Sequence, residues 1–296
     1  MKIGIDIGGS HIGIGLVNDN GSIALKIEKF IKDKTNIKDQ IEEFITETII
    51  EIGLTNKIDS IGVAIPGTVT ENKIIKAVNL GIEDYDLATN LEKILKIPVK
   101  LKNDAKCAAN AEIGFGNLQD VQDGAVIIVG TGIGGCLVKD HKVIVGKHFS
   151  AGEFSGVQTN IEHFGESGWS WASRTGINGL LKRVQEELET DEVFTGRQTF
   201  AMALEGNEKV IKAIDRFARE VAIQAFNIHI IFDCEKIAIG GGISAQPLLL
   251  ELIKKNWDEV LARAPYLYKP EIVVCKFRND ANLIGALYQH LLTYPA

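Results

Sequence analysis

Several short stretches of this sequence combine glycine, hydroxyl and carboxylate residues in patterns suited to phosphate chemistry. Asp6-Ile7-Gly8-Gly9-Ser10 falls at a hairpin between two apolar runs. Without Cβ atoms the chain can approach a phosphate closely and aim N–H groups at it. Asp6, at a strand end, could hold a metal-bound water beside that phosphate. An ordinary glycine hairpin would look the same. Gly130-Thr131-Gly132-Ile133-Gly134-Gly135 is a second such turn, with Thr131 adding a hydroxyl donor. Two facing turns would make a clamp that one alone would not. Gly240-Gly241-Gly242 follows a buried strand and precedes a helix, so it can lie flat against an adenine or ribose. A dinucleotide-binding fingerprint is the rival. It fails because no GxGxxG lies in the first βα turn with an acidic residue at the right distance.

Asn103-Asp104 ends a strand and opens a helix. A carboxylate there could be a plain N-cap. It could equally be a general base that accepts the proton of an attacking hydroxyl. Glu153, in Ala151-Gly152-Glu153-Phe154-Ser155-Gly156, could accept two sugar hydroxyl bonds, or be a solvated loop acid. Pro66-Gly67 and Asn79 end or follow strands of the first half and could line the same site, Asn79 being the weaker candidate. Trp169 and Trp171 could stack on a sugar ring or belong to the core. The six histidines are dispersed without metal-ligand spacing, and His229 lies on an apolar helix, where packing is the simpler role.

The elements that must position these residues are legible in the pattern. Strands are expected over 2–7, 12–17 and 22–30, then a helix over about 36–52. Its apolar Ile37, Ile41, Phe44 and Ile52 share a face with Thr48. A buried strand over 61–65 stops at Pro66-Gly67. A short helix near 87–95 leads to a strand at 99–102, and the next helix, 105–113, starts after Asp104. The second half begins like the first, with strands at 125–129, 133–139 and 143–145. Residues 3–19 and 125–140 share strand, Gly-rich turn, strand, turn, which is an internal repeat of architecture. Helices follow at 208–231, 245–261 and 281–292, with strands at 236–239 and 272–275. The stretch 150–171 has no period and reads as a functional loop.

Composition narrows the class. The chain has 296 residues, 45% hydrophobic and 24% charged, with a formal charge of −7. It can bury a real core and reads as soluble and globular. The negative balance argues mildly against nucleic acid. There is no secretory or membrane-spanning run, so a cytoplasmic place is expected with no membrane partner. Cys107, Cys136, Cys234 and Cys275 are scattered. They suggest reduced thiols packed as small hydrophobes.

Together these motifs resemble the repressor–open-reading-frame–kinase (ROK) family of sugar kinases over essentially the whole chain. The carriers are DIGGS (6–10), AIPG (64–67), NDAKCAANAE (103–112), GTGIGG (130–135), AGE (151–153) and GGGIS (240–244). The resemblance implies an α/β, two-domain actin/hexokinase-like (ribonuclease H-like) fold with an interdomain cleft. It implies that Asp104 is the catalytic aspartate. Asp6, Gly8, Gly9, Ser10, Gly130, Thr131 and Gly132 match the phosphate and Mg²⁺ region, and Gly240, Gly241 and Gly242 the adenosine region. Pro66, Gly67, Asn79, Asn103 and Glu153 match sugar-contacting positions. The chain departs from the family where a His usually stands three residues after the loop Glu. That place is Gly156. The Cys-rich zinc knuckle is absent, and a second sugar-binding Glu is replaced by Trp169. This is similar to the zinc-less branch, which includes some glucokinases, β-glucoside kinases and N-acetylmannosamine kinases. No N-terminal helix-turn-helix precedes the phosphate strand, so a DNA-binding role is not expected.

The expectation is an ATP- and Mg²⁺-dependent, zinc-free kinase acting on the 6-hydroxyl of a hexose, glucose or a glucoside. An N-acetylmannosamine kinase or a non-catalytic sugar sensor is the alternative. The domains are expected at 1–102 and 103–280, with the last helix, about 281–296, able to pack back on the first. A homodimer is left open.

Overall fold

The computed structural model describes residues 1–31, 35–164, 166 and 168–293. Within the helix and loop expected at 281–296 and 150–171, residues 294–296, Gly165 and Ser167 lie outside the described residues.

The chain divides into two compact units, one formed by 1–119, 145–151 and 279–296, the other by 120–144 and 152–278. In the first, β1 (Lys2–Ile7), β2 (His11–Val17) and β3 (Ile23–Phe30) form an antiparallel meander. Helix α1 (Ile37–Gly53) follows, then β4 (Ser60–Ile65), which pairs parallel to β1. Three short strands, β5 (Thr68–Val69), β6 (Ile74–Ala77) and β7 (Ile82–Tyr85), form a small antiparallel sheet. Helix α2 (Leu87–Leu95), strand β8 (Val99–Asn103), parallel to β4, and helix α3 (Asp104–Phe115) complete this stretch. The main sheet order is β3-β2-β1-β4-β8. Every residue of β4 is buried, as a central parallel strand requires. Helix α1 buries Ile37, Ile41, Ile45, Thr48, Ile49 and Ile52 at helical spacing against this sheet.

The second unit repeats the plan. Strands β9 (Gly124–Val129), β10 (Ile133–Lys139) and β11 (Lys142–Val143) are antiparallel. After the loop come α4 (Trp171–Thr175), α5 (Ile177–Leu188), α6 (Gly196–Leu204) and the long α7 (Glu208–Phe232). Strand β12 (Lys236–Gly240), helix α8 (Pro247–Leu261) and strand β13 (Glu271–Val274) follow. The sheet order is β11-β10-β9-β12-β13, with β12 parallel to both neighbours. Order and direction thus match the first sheet strand for strand, which is the internal repeat in three dimensions. Its core is large and apolar, centred on Phe217, Trp257 and Trp171. His229 is packed there, with Nε2 2.9 Å from the Tyr268 carbonyl and its ring edge-on to Trp257.

Helix α9 (Ala281–Thr293) returns to the first unit and packs on β1, β4 and α3. The division of the chain differs from the expected boundary at 102/103. Helix α3 stays with the first unit because α9 covers it. Cys107 of α3 forms a small apolar cluster with Ala64 and Ala286. Segment 145–151 also belongs there, its Phe149 carbonyl accepting from the buried Lys106 Nζ at 3.1 Å. All four cysteines are buried and unbridged.

Candidate active site

In the first unit the candidate carboxylates stand on element ends. Asp6 is the penultimate residue of β1, paired with Ala64 of β4 on one side and Gly13 of β2 on the other. The turn after it is closed by Gly8 N–H donating to the His11 carbonyl at 2.9 Å, and leaves Gly9 and Ser10 exposed. A Cβ at Gly9 would meet nothing of the chain. The glycine therefore leaves room outside the backbone, as close phosphate approach needs.

Asp104 opens α3, but the cap is a different residue. Asn103 is the N-cap, its Oδ1 accepting from Lys106 N–H at 3.2 Å. Its Nδ2 donates to the Gly67 carbonyl at 3.0 Å. Asn103 thus ties the end of β8 to the turn after β4, and it takes the N-cap that was the alternative role for Asp104. Asp104 is half-buried in the first helical turn and accepts from Ala105 N–H at 2.8 Å.

The two carboxylates feel each other. Asp6 is pushed up from 3.8 to about 6, chiefly by burial. The hydrogen bond from Asn282 Nδ2 to Asp6 Oδ1, at 3.0 Å, opposes the rise, and the neighbouring Asp104 charge adds to it. His11 and Lys26 pull it down more weakly. A crowded acidic pair of this kind suits a divalent cation, which offsets the charge that burial disfavours. Among the described residues no cluster of three or more His, Cys, Asp or Glu could hold a metal. Asp6 could hold Mg²⁺ through water, a cation that dehydrates reluctantly.

Pro66, Gly67 and Asn79 do come together, lining a pocket of about 200 Å³ with Thr68, Lys76 and Val78. Gly67 is needed for the fold as well. Its φ is +102°, and a Cβ would strike the Lys76 carbonyl. Asn79 lies exposed in a 3₁₀ turn, 78–80.

In the second unit the turn Gly130–Gly132 joins β9 to β10. Gly130 N–H donates to the Gly132 carbonyl, and the Gly130 carbonyl accepts from Ile177 N–H at the start of α5, both at 2.9 Å. Thr131 is exposed and a Cβ at Gly130 would meet nothing of the chain. The Gly240–Gly242 triplet divides by role. Gly240 is buried and crowded by Ile128 and Cys275. Gly241 has φ +94° and a Cβ would hit the Val129 carbonyl. Gly242 alone is exposed with open space around it.

Glu153 is exposed at the head of a 3₁₀ turn, 154–156. Phe154 anchors that turn in the core against Trp171. Gly156, where the resemblance places a His, is exposed and open. Trp171 is fully buried in the core and offers no ring face to a sugar, which corrects that option. Trp169 is half-exposed, with His163 stacked on it at 4.3 Å and the Arg174 guanidinium 5.0 Å from its centre. An apolar pocket of about 450 Å³, between Phe154 and α7, is lined by Trp171 and by none of the other candidate site residues.

The sequence reading missed Asn282. It stands 276 residues from Asp6, and no local pattern marks it.

A profile described as the ROK family matches residues 2–291. The beta-glucoside kinase of Listeria monocytogenes is 29% identical over 98% of this chain and 98% of its own. The N-acetylmannosamine kinase of Haemophilus influenzae is 28% identical over 97% of this chain and 94% of its own. The fold matches the crystal structure of a ROK family glucokinase from Streptomyces griseus in complex with glucose and AMPPNP. Its TM-score is 0.83 and its identity 22%, covering 96% of this chain and 97% of that one. The fold is therefore of the actin/hexokinase-like class, and the chain belongs to the ROK family, among its sugar kinases.

Proposed function

We propose that this chain transfers the γ-phosphoryl group of ATP to the 6-hydroxyl of a hexose, glucose or a β-glucoside, with Asp104 as general base. The carrying observation is the pair Asp6 and Asp104, two carboxylates at element ends of the first unit, near enough for the Asp104 charge to push Asp6 up, with Asn103 as the N-cap of α3. In this reading the first unit supplies Asp104, Asp6, the Gly8–Ser10 turn and sugar contacts at Pro66, Gly67, Asn79 and Asn103. The second supplies Glu153 to the sugar, and Gly130–Gly132 and Gly240–Gly242 to the nucleotide.

Asp104 takes the hydroxyl proton as the new O–P bond forms. The bond from the γ-phosphorus to the bridging oxygen breaks, and ADP leaves. Backbone N–H groups of the glycine turns would orient the phosphates and stabilise charge on them. Mg²⁺, held from Asp6 through water, would supply charge neutralisation at the phosphates.

The open space at Gly156 supports room for a substituent beside Glu153, and the relative named a beta-glucoside kinase points the same way. The N-acetylmannosamine kinase among the relatives keeps an N-acylhexosamine as the second reading. Retention of both carboxylates disfavours a sensor without turnover. A coupled ADP assay with glucose, cellobiose, N-acetylmannosamine and N-acetylglucosamine decides the matter. Turnover of glucose or cellobiose is expected. Turnover of N-acetylmannosamine alone would install the second reading, and sugar binding without turnover would establish the sensor.

A further inference from the structure

Helix α9 is wedged unusually close to the elements that carry the two carboxylates. A Cβ at Gly4 of β1 would land on the Leu283 carbonyl, and one at Gly62 of β4 on the Ala286 carbonyl. A Cβ at Gly285 of α9 would land on the Cys107 carbonyl of α3. Asn110 of α3 reaches the Gly285 carbonyl with its Nδ2 at 3.4 Å. Just before α9, Asp280 pairs with Lys26 of β3 at 2.9 Å. With backbone packed on backbone, α9 cannot slide without breaking these contacts. Its second residue is Asn282, whose Nδ2 sits 3.0 Å from Asp6 Oδ1.

We propose that Asn282 is a positioning residue for the phosphate and Mg²⁺ end of the site, holding the Asp6 carboxylate in one plane beside Asp104. The proposal rests on the reading of Asp6 as the residue that holds Mg²⁺ through water. The side-chain type fits the task. A carboxylate can rotate about its last bond unless one oxygen is held, and an amide N–H holds it without adding charge. A lysine in the same place would pair with Asp6 and compete with the cation. A third acid would add repulsion to a pair that already carries two negative charges. A neutral donor leaves the pair's attraction for a divalent ion intact.

The test compares Asn282→Ala, Asn282→Leu and Asp6→Asn with wild type. Leu keeps the side-chain bulk and removes the donor. Binding of Mn²⁺, as a spectroscopic stand-in for Mg²⁺, is measured by electron paramagnetic resonance in the presence of ADP. The sugar KM, kcat and Tm are measured in parallel. Both Asn282 variants should weaken Mn²⁺ binding and lower kcat by about tenfold or more, the scale of a lost hydrogen bond to a charged group. Their sugar KM should stay within about twofold, because a positioning effect acts at one end of the site. Wild-type Mn²⁺ affinity in both Asn282 variants, with Asp6→Asn impaired, overturns the proposal alone. Unimpaired Mn²⁺ binding in Asp6→Asn overturns the reading of Asp6 itself. Sugar and Mn²⁺ binding that weaken together in both Asn282 variants, with a lowered Tm, would mark a purely structural residue and also overturn it.

Discussion

At the residue scale the informative contrast is between Asn103 and Asp104. Both sit at the start of α3, where Asn103 is the N-cap through the N–H of Lys106 and Asp104 accepts from the N–H of Ala105. An acid in the first turn gains modestly from the helix dipole, and the bond that Asp104 Oδ1 accepts from Ala105 N–H can be kept by the Oδ1 of an Asn. Asp104→Asn should therefore melt within a few degrees of wild type and still bind sugar and ATP. Its kcat should fall by about 10²–10⁴, the usual worth of a positioned base. A folded variant with near-normal kcat would remove Asp104 from the chemistry. Asp6 is the opposite case, a residue the fold would be better without. Its carboxyl is pushed from 3.8 up to about 6 by burial. Below the unfolded value the group is neutral in both states. As pH rises from there through about 6, the unfolded chain ionises first and stability is lost, and the cost is fully present above that. Two units correspond to at most about 3 kcal/mol, less the screening that its partial exposure allows. In metal-free buffer Asp6→Asn should melt above wild type at pH 7.5, with the gain vanishing near pH 4. A gain independent of pH would show that ionisation of Asp6 is not its source.

At the element scale, glycines separate into those the fold needs and those it does not. Gly62 lies under the Ala286 carbonyl of α9, with no room for a methyl group. Gly62→Ala should cost about 3 kcal/mol, the upper range for overpacking, and lower Tm by roughly 5–10 °C. Gly242→Ala should leave Tm unchanged, since a Cβ there meets nothing of the chain, while raising the ATP KM. An equal Tm loss in both would dissolve the distinction. The elements that the sequence pattern did not reveal are of two kinds. Strands β5–β7 span two to four residues, too few for alternation to register. Helix α6 did carry a readable signal, a Thr195–Gln198 capping box formed in full. Helix α5 has Gly176 as its N-cap, whose role is steric: its missing Cβ makes room for the Thr131 carbonyl.

At the scale of the molecule, two sheets of identical order carry the repeat, and the family match runs from residue 2 to 291. The stretch after Glu153 is fastened by hydrogen bonds and rings. Gln158 and Ser170 form a bridge, and the Trp169 carbonyl accepts from Thr159 N–H at 3.0 Å and from Thr159 Oγ1 at 2.7 Å. His163 stacks on Trp169 and hydrogen-bonds Glu166 at 3.0 Å. These fastenings do not call for a metal. Elemental analysis of purified protein should find zinc well below one per chain, and a zinc chelator that spares Mg²⁺ should leave turnover intact. Tightly held stoichiometric zinc would overturn this.

The sequence alone determined the architecture and the chemistry's raw materials. Period-two and period-3.6 patterns placed the long strands and helices, because burial of one face leaves its mark on every second or every third to fourth residue. The glycine turns and the acids at strand ends were visible for the same reason, since each is a local requirement. Only the tertiary structure decided what depends on residues distant in the chain. It gave the capping role to Asn103, drew α3 and segment 145–151 into the first unit, and sank Trp171 into the core. It split Gly240–Gly242 into two glycines the fold requires and one open to solvent. It also set Asn282 against Asp6 across 276 positions. Such pairings leave no periodic trace, because they are fixed by which backbones pack together and not by the run of side chains along any one of them.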